Sequence, residues 1–416
     1  MKWSQCGRIT LALVASLALG LSITACNPSF TLGYVYALTA KSNLINAYGI
    51  DSVSGALTPI PSSPYASGGD YPIAAAVDHP EERLYVVHEN NNKVVEFSIG
   101  DDGTLASLNT YSTPGRYPIA VSIDPQNRFL FVVDSFAPAY NNDTFTPPKS
   151  NPKTPAVDTT NTDTQGCVVV YPISSTDGSL GTPVTDPVSG DKCFPVGVGP
   201  AAGSLPIGIT ATAFVNYLYV ANQGTHSIYA YAVNYSNGVL RALTNNSFQA
   251  GVKPSAITSD PSGRFVYVTD QYSNQLLGYV ILSSGALQSM VNGPFATDLY
   301  PNSIVADPRG LFLYVTNYNS NDVRAYTIDA STGNPSGVST AMSSTGTGPT
   351  CVVIEPAYGR YVYVSNLLDN TISGFKLNPH TGVLTTVLNA PFPASGQPTC
   401  VATAANGAHP TQIITP

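Results

Sequence analysis

Charged residues are scarce in this chain. Asp, Glu, Lys and Arg make up 10% of its 416 residues, with 25 acidic against 17 basic side chains and no run of Lys or Arg. Because binding to phosphate backbones requires clustered basic side chains, no nucleic-acid partner is expected. The net charge of −8 is typical of an ordinary soluble surface.

Long hydrophobic runs are also lacking, apart from one at the N-terminus. Residues 9–23 are apolar, follow Lys2 and Arg8, and lead into Ile23-Thr24-Ala25-Cys26. The run is too short for a stable membrane span and is typical of a signal peptide. Its end resembles the lipobox of bacterial lipoproteins, which implies a lipid on Cys26 and a membrane anchor. The alternative is an ordinary cleavage site with an incidental cysteine.

The predicted signal peptide and lipid anchor define the segments of the chain and its expected cellular location. Residues 1–25 are the predicted signal peptide, 26–32 an anchor linker, 33–404 the folded domain and 405–416 a C-terminal tail. The expected location is the bacterial cell envelope, on the periplasmic or extracellular face of a membrane.

Turn-forming and strand-forming residues are abundant instead. The chain contains 35 Gly, 34 Pro and 25 Tyr, which favours an all-β protein with many short strands. A proline recurs at intervals of 46 to 49 residues, with one longer interval between positions 118 and 206, and a glycine turn follows in each unit. The leading prolines are Pro72, Pro118, Pro206, Pro254, Pro301, Pro349 and Pro398.

Each repeat predicts four short antiparallel strands, which is the unit of a propeller blade. Residues 33–70 lack the first strand of a blade, and 397–404 supply a first strand with nothing after it. We therefore predict a seven-bladed β-propeller in which the C-terminal strand completes blade 1. Small residues stand two places after every leading proline, as crowding around a central axis requires. They are Ala74, Ala120, Gly208, Ala256, Ser303, Cys351 and Cys400.

The second strands carry a family resemblance. Tyr267-Val268-Thr269-Asp270, Tyr314-Val315-Thr316-Asn317 and Tyr363-Val364-Ser365-Asn366 resemble the YVTN motif of bacterial surface propellers. The preceding segment, Asp260 to Arg264, is similar to that of the seven-bladed lactonase family, which includes 6-phosphogluconolactonase-like proteins. The resemblance implies lactone hydrolysis. The segments in blade 3 that correspond to the family's His-rich and Asp-Leu-Gly-type segments match only at Asp134.

Candidate site residues lie where the second strand of each blade ends. We call these the exit residues, and all are polar: Thr39, His88, Asp134, Asn222, Asp270, Asn317 and Asn366. We expect them to ring one mouth of the central channel, with Glu89 and Tyr117 beside them. His88 could abstract a proton from water, and Arg116 could stabilise the oxyanion of an opening lactone, with Asp134 nearby. The alternative is that such residues only cap strand ends and form turns.

Blade 3 carries the extra length. An insertion at 136–166 and a second one before Pro206 should both emerge at the mouth. Cys167 and Cys193 lie one in each segment, so a disulfide would tie them together, and a bond between Cys351 and Cys400 would latch the ring. The alternative for the second pair is two buried free thiols.

These observations favour a lipid-anchored, monomeric binding or interaction module of the cell envelope with an unidentified small-molecule or protein ligand. The alternative is a lactone hydrolase that acts at the channel mouth, and a third possibility is a structural envelope component. The histidines show no metal-ligand spacing, so we expect no metal and no cofactor.

Overall fold

The computed structural model describes residues 29–137, 165–197 and 204–407, except His79 and Glu81. Seven antiparallel sheets surround a central axis, and strands alone form the regular structure of these residues. The predicted seven-bladed all-β propeller is therefore confirmed. Within the same residues, no helix is long and apolar enough to cross a membrane. The predicted signal peptide, Cys26, nearly all of the insertion and most of the tail lie outside the described residues.

The strands follow the predicted order within each blade. Blade 1 contains β1 (Thr31–Thr39), β2 (Leu44–Asp51), β3 (Leu57–Pro59), β4 (Tyr65–Ala66) and the last strand, β31 (Pro398–Ala405). Blade 2 contains β5 (Pro72–Val77), β6 (Arg83–His88), β7 (Lys93–Ile99) and β8 (Leu105–Ser112). Blade 3 contains β9 (Arg116–Ile123), β10 (Phe129–Phe136), β11 (Cys167–Pro172) and β12 (Phe194–Pro195). Blade 4 contains β13 (Pro206–Ala211), β14 (Tyr217–Asn222), β15 (Ser227–Val233) and β16 (Leu240–Gln249).

The remaining three blades complete the ring. Blade 5 contains β17 (Pro254–Ser259), β18 (Phe265–Asp270), β19 (Gln275–Ile281), β20 (Leu287–Ser289) and β21 (Phe295–Ala296). Blade 6 contains β22 (Pro301–Ala306), β23 (Phe312–Asn317), β24 (Asp322–Ile328) and β25 (Pro335–Ser344). Blade 7 contains β26 (Pro349–Ile354), β27 (Tyr361–Asn366), β28 (Thr371–Leu377), β29 (Leu384–Thr386) and β30 (Phe392–Pro393).

Ring closure occurs in blade 1, as predicted. Strand β31 pairs antiparallel with β1, with Val35 opposite Thr403, and so becomes the innermost strand of that blade. The apolar core lies between neighbouring blades: Val35 and Ala37 of blade 1 pack in one cluster with Tyr363 and Phe392 of blade 7. Burying both faces of each sheet against its neighbours is what stabilises blades that could not fold alone.

The leading prolines begin six of the seven inner strands, and in all seven they fix the register. Each pairs with the exit residue of its own blade, as Pro254 does with Asp270 and Pro301 with Asn317. The register then shifts by one residue in all seven blades, so the residue after each proline is a β-bulge. A bulge redirects the side chain it carries. These bulges position the residues that line the channel.

The recurring tyrosine of the second strand joins neighbouring blades. Its hydroxyl donates to the carbonyl of the turn glycine in the next blade, from Tyr267 to Gly333 at 2.6 Å and from Tyr314 to Gly382 at 2.9 Å. Those glycines have positive φ, a conformation that disfavours other residues. Blade 3 carries Phe131 in place of this tyrosine, and the Phe131 ring packs in an apolar cluster with Ile209 and Leu218 of blade 4.

Candidate functional site

The inner strands surround a central channel with a cavity of about 240 Å³. Its wall consists of bulge residues, the small residues that follow them, and two glutamines. The lining residues are Ile73, Ala74, Ala75, Ile119, Ala120, Val121, Ile207, Gly208, Ile209, Gln223, Ser255, Ala256, Ile257, Gln271, Asn302, Ser303, Ile304, Thr350, Cys351, Thr399 and Cys400. The predicted ring of small side chains thus lies at the axis.

The layer of bulge residues is asymmetric. Blades 2 to 4 contribute Ile73, Ile119 and Ile207, whereas the other four blades contribute polar side chains at the same position. Each polar one donates a hydrogen bond to the carbonyl of the leading proline in the next blade. The bonds are Ser255 to Pro301 (2.7 Å), Asn302 to Pro349 (2.8 Å), Thr350 to Pro398 (3.2 Å) and Thr399 to Pro72 (2.7 Å). At this layer the channel therefore has an apolar side and a polar side.

The exit residues do not line this channel, which corrects our expectation that they ring its mouth. The six from blades 2 to 7 are 0% exposed, and their side chains lie beneath the connections that lead into the inner strands. An added Cβ at Gly69 would come within 2.5 Å of the His88 ring, and one at Gly115 within 2.5 Å of the Asp134 carboxylate. Glycine is required there because the exit side chains occupy the space.

Most exit residues form hydrogen bonds with nearby backbone groups, as expected if such residues cap strand ends. Asp134 accepts a hydrogen bond from the Gly115 N–H at 2.9 Å, and Asn222 accepts one from the Leu205 N–H at 2.9 Å. Asp270 accepts from two N–H groups, those of Val252 and Lys253. Two further exit residues donate to side chains of the following strand: Asn317 to Asp322 at 2.7 Å and Asn366 to Ser373 at 2.9 Å.

Burial shifts the pKa values of the two titratable residues that we singled out as catalytic. It lowers the pKa of His88 to about 4, so the imidazole is neutral at pH 7. It raises the pKa of Asp134 to about 8, so this carboxyl group is largely protonated there. His88 packs against Gly69, and Asp134 bonds with Gly115 and Thr113. The two side chains therefore occupy different environments, and their catalytic roles remain predictions.

Glu89, the residue after His88, lies in an environment that is better suited to proton transfer. Glu89 is half-buried, and its N–H donates to the Tyr71 carbonyl at 3.0 Å, just before the inner strand of blade 2. Burial raises the pKa of the Glu89 carboxyl to about 7, and its charge in turn contributes to a raised pKa of Tyr117. Glu89 directly follows β6, and the corresponding residues of blades 4 and 5, Gln223 and Gln271, line the channel.

Arg116 and Tyr117 begin the inner strand of blade 3, and both are half-buried. Arg116 pairs with Phe136 in the sheet, and the Tyr117 ring meets the Phe136 ring edge-on at 6.0 Å. Tyr117 has a φ of 55°, and its N–H donates to the Asn92 side chain at 2.8 Å. The Asn92 amide thus fixes the chain where it turns into the channel, on the side where Glu89 lies.

Both expected disulfides are formed. Cys351 and Cys400 link the inner strands of blades 7 and 1, with Cα atoms 4.9 Å apart. Cys167 and Cys193 are linked within blade 3, with Cα atoms 5.6 Å apart. The Asp134 carboxylate lies within 4.8 Å of the latter two sulfurs. Because these sulfurs are bonded to each other, they are not the thiolates that a metal would require.

Comparison with known proteins agrees with this architecture. The family model described as lactonase, seven-bladed β-propeller, matches residues 32–140, 201–294 and 241–354. No curated protein sequence matches the chain.

Solved structures share the whole propeller at low identity. The periplasmic gluconolactonase of Pseudomonas aeruginosa is 19% identical, with a TM-score of 0.68 over 90% of this chain and 99% of its own. A candidate 6-phosphogluconolactonase of Bacteroides fragilis is 18% identical, with a TM-score of 0.68 over 90% and 98%. These likenesses show the fold, and the family model covers more than half of the sequence. The chain belongs to the lactonase family of seven-bladed β-propellers.

Proposed function

We propose that this propeller hydrolyses a lactone at the mouth of its channel, with Glu89 as the general base. Family membership supports the reaction class. The observation that supports the assignment is the position of Glu89, a half-buried carboxylate close to Tyr117 and bonded to Tyr71, beside the starts of the inner strands of blades 3 and 2. A partly desolvated carboxylate at a channel mouth is suited to accept a proton from water.

The reaction then balances as follows. The Glu89 carboxylate accepts a proton from a water molecule, and the water oxygen forms a bond with the lactone carbonyl carbon. The C–O bond of the ring breaks, and the departing alkoxide takes up the proton from Glu89. The products are an alcohol and a carboxylic acid in one open chain, and the acid releases its proton to solvent at neutral pH. The positive charge of Arg116, at the start of the inner strand of blade 3, would favour the anion that develops as the ring opens.

The role given to His88 from the sequence passes to its neighbour in this proposal. His88 is 0% exposed beneath a connection, so water and a substrate would not reach its ring without movement of the backbone. Glu89 is the next residue, after the end of β6, and is half-buried. The His88 ring then supports the connection that carries Tyr71.

The test is an assay of acid release from a panel of sugar and alkyl lactones by purified residues 27–416. We expect turnover by the wild type and a loss of about 100-fold or more in kcat for Glu89→Gln. Glu82→Gln, which alters an exposed carboxylate, is the matched control and should retain full activity. Absence of turnover across the panel, or equal kcat in wild type and Glu89→Gln, would refute the proposal.

We also propose that the protein works outside the cytoplasm, attached to a membrane through Cys26. Two disulfides support an oxidising compartment. Labelling of cells with radioactive palmitate tests the anchor: label should enter the wild type and not Cys26→Ser. The interaction-module function stays a prediction.

A further inference from the structure

Gln271 differs from the other polar side chains that line the described channel. Its side chain is 3% exposed, and its Nε2 has no hydrogen-bond partner. Gln223 occupies the same position in blade 4, and its Nε2 donates to the Pro254 carbonyl at 3.0 Å. Buried polar atoms without partners are costly and rare, so the isolated Gln271 amide calls for a ligand.

A neighbouring hydroxyl already donates to the carbonyl that Gln271 would be expected to use. By analogy with Gln223, its acceptor would be the Pro301 carbonyl in the next blade. In blade 5 the bulge residue is Ser255, whose hydroxyl already donates to that carbonyl at 2.7 Å. In blade 4 the bulge residue is Ile207, which has no donor, and Gln223 takes the acceptor instead. Gln271 therefore keeps a free donor inside the channel.

The other residues that line the cavity restrict which ligands could accept a hydrogen bond from Gln271. None of the described residues that line it is charged, and burial of an ionised ligand without a partner is strongly unfavourable. Ile73, Ile119 and Ile207 form an apolar wall in blades 2 to 4. The cavity volume of about 240 Å³ leaves room for a small ring. The cavity is suited to a neutral ring with one accepting oxygen.

We propose that the channel binds the ring of an uncharged lactone, whose carbonyl oxygen accepts a hydrogen bond from Gln271 Nε2. The carbon face of the ring lies against the isoleucine wall. This inference rests on the proposed function for the identity of the ligand, and it specifies the substrate class: neutral lactones enter the channel, and phosphorylated ones do not.

Binding of δ-valerolactam tests the site without hydrolysis, because this cyclic amide keeps the ring and carbonyl oxygen of a lactone. Calorimetric titration should show binding to the wild type and no binding of glutarate, a dianion of similar size. Gln271→Met should weaken lactam binding about fivefold, the value of one neutral hydrogen bond. Gln288→Met, which alters an exposed glutamine on β20, should bind as the wild type does.

A second variant tests the competition for Pro301. Ser255→Ala removes the hydroxyl donor, so Gln271 can turn to the Pro301 carbonyl as Gln223 does to Pro254. We expect weaker lactam binding in this variant, although Ser255 itself is not the proposed contact. The melting temperature of each variant verifies that the ring is intact.

The outcomes separate this inference from the proposed function. Lactam binding that depends on Gln271, in a protein without lactone turnover, would support the site and refute hydrolysis. Absence of lactam binding to the folded wild type, unchanged binding in Gln271→Met, or equal binding of glutarate would overturn the inference, whatever the turnover assay shows.

Discussion

The hydroxyl of Tyr363 donates a hydrogen bond of 2.8 Å to the carbonyl of Gly55, 308 residues away in sequence. It joins blade 7 to blade 1, where the two ends of the propeller meet. The same bond recurs between most neighbouring blades, as from Tyr36 to Gly103 at 3.0 Å. The ring is thus closed by the same tyrosine-to-glycine hydrogen bond that joins most of its other blades, together with strand β31 and one disulfide.

Removal of this hydroxyl should weaken the closure. Tyr363 is 0% exposed, so Tyr363→Phe leaves the buried Gly55 carbonyl without its donor while the ring packing stays. We expect the free energy of unfolding to fall by about 1–2 kcal/mol, measured by urea denaturation. Tyr272→Phe, at a side chain that is 73% exposed, should have no effect. Equal stability of both variants and the wild type would show that the bond contributes nothing.

The disulfide between Cys351 and Cys400 should stabilise the ring by limiting the unfolded chain. It closes a loop across a sequence separation of 49 residues, for which loop-closure entropy gives about 4 kcal/mol. The variant with both cysteines changed to serine should lose stability of that order in urea denaturation. Unchanged stability in this variant would contradict the prediction.

Two aspartates at equivalent positions should respond to pH in opposite ways. Burial raises the pKa of Asp134 from 3.8 to about 8. Burial also acts on Asp270, but hydrogen bonds from Val252, Ser273 and Lys253 outweigh it and lower the pKa of that carboxyl. Folding thus favours the protonated form of Asp134 and the ionised form of Asp270.

The sign for stability follows from these shifts. Asp134 destabilises the fold increasingly as pH rises from about 4 to about 8, because the folded state holds a proton that the unfolded state releases. Asp134→Asn should therefore raise the melting temperature at pH 8 more than at pH 5. Asp270→Asn should lower it at pH 8, since stabilisation by the ionised carboxylate is lost. Equal pH dependence of the melting temperature in both variants would contradict the assignment.

The fold was predictable from sequence because its determinants recur. Leading prolines and turn glycines appear once in every blade, and the split of blade 1 follows from what residues 33–70 and 397–404 lack. The pairing of Cys351 with Cys400 followed from their equal positions on adjacent inner strands.

The site was less predictable, because it depends on which side chains are buried and on which donors bond to the same carbonyl. His88 and Glu89 are adjacent in sequence, and only the structure shows that the first is fully buried and that the second, just after β6, is half-buried. The free amide of Gln271 depends on the Ser255 hydroxyl bonding to Pro301 in the next blade, and no sequence pattern records that contact.

The pH dependence of lactone hydrolysis tests the central claim most directly. Because the base must be ionised and burial raises the pKa of Glu89 to about 7, kcat should rise with pH and level off above about 7. The measurement is kcat from pH 5 to 9 on a lactone that the wild type hydrolyses, corrected for spontaneous opening. We predict that kcat of the wild type rises with pH to a plateau, with its midpoint near pH 7, and that this rise is absent in Glu89→Gln. A rise that persists in Glu89→Gln, or hydrolysis that does not exceed the spontaneous rate, would contradict the account.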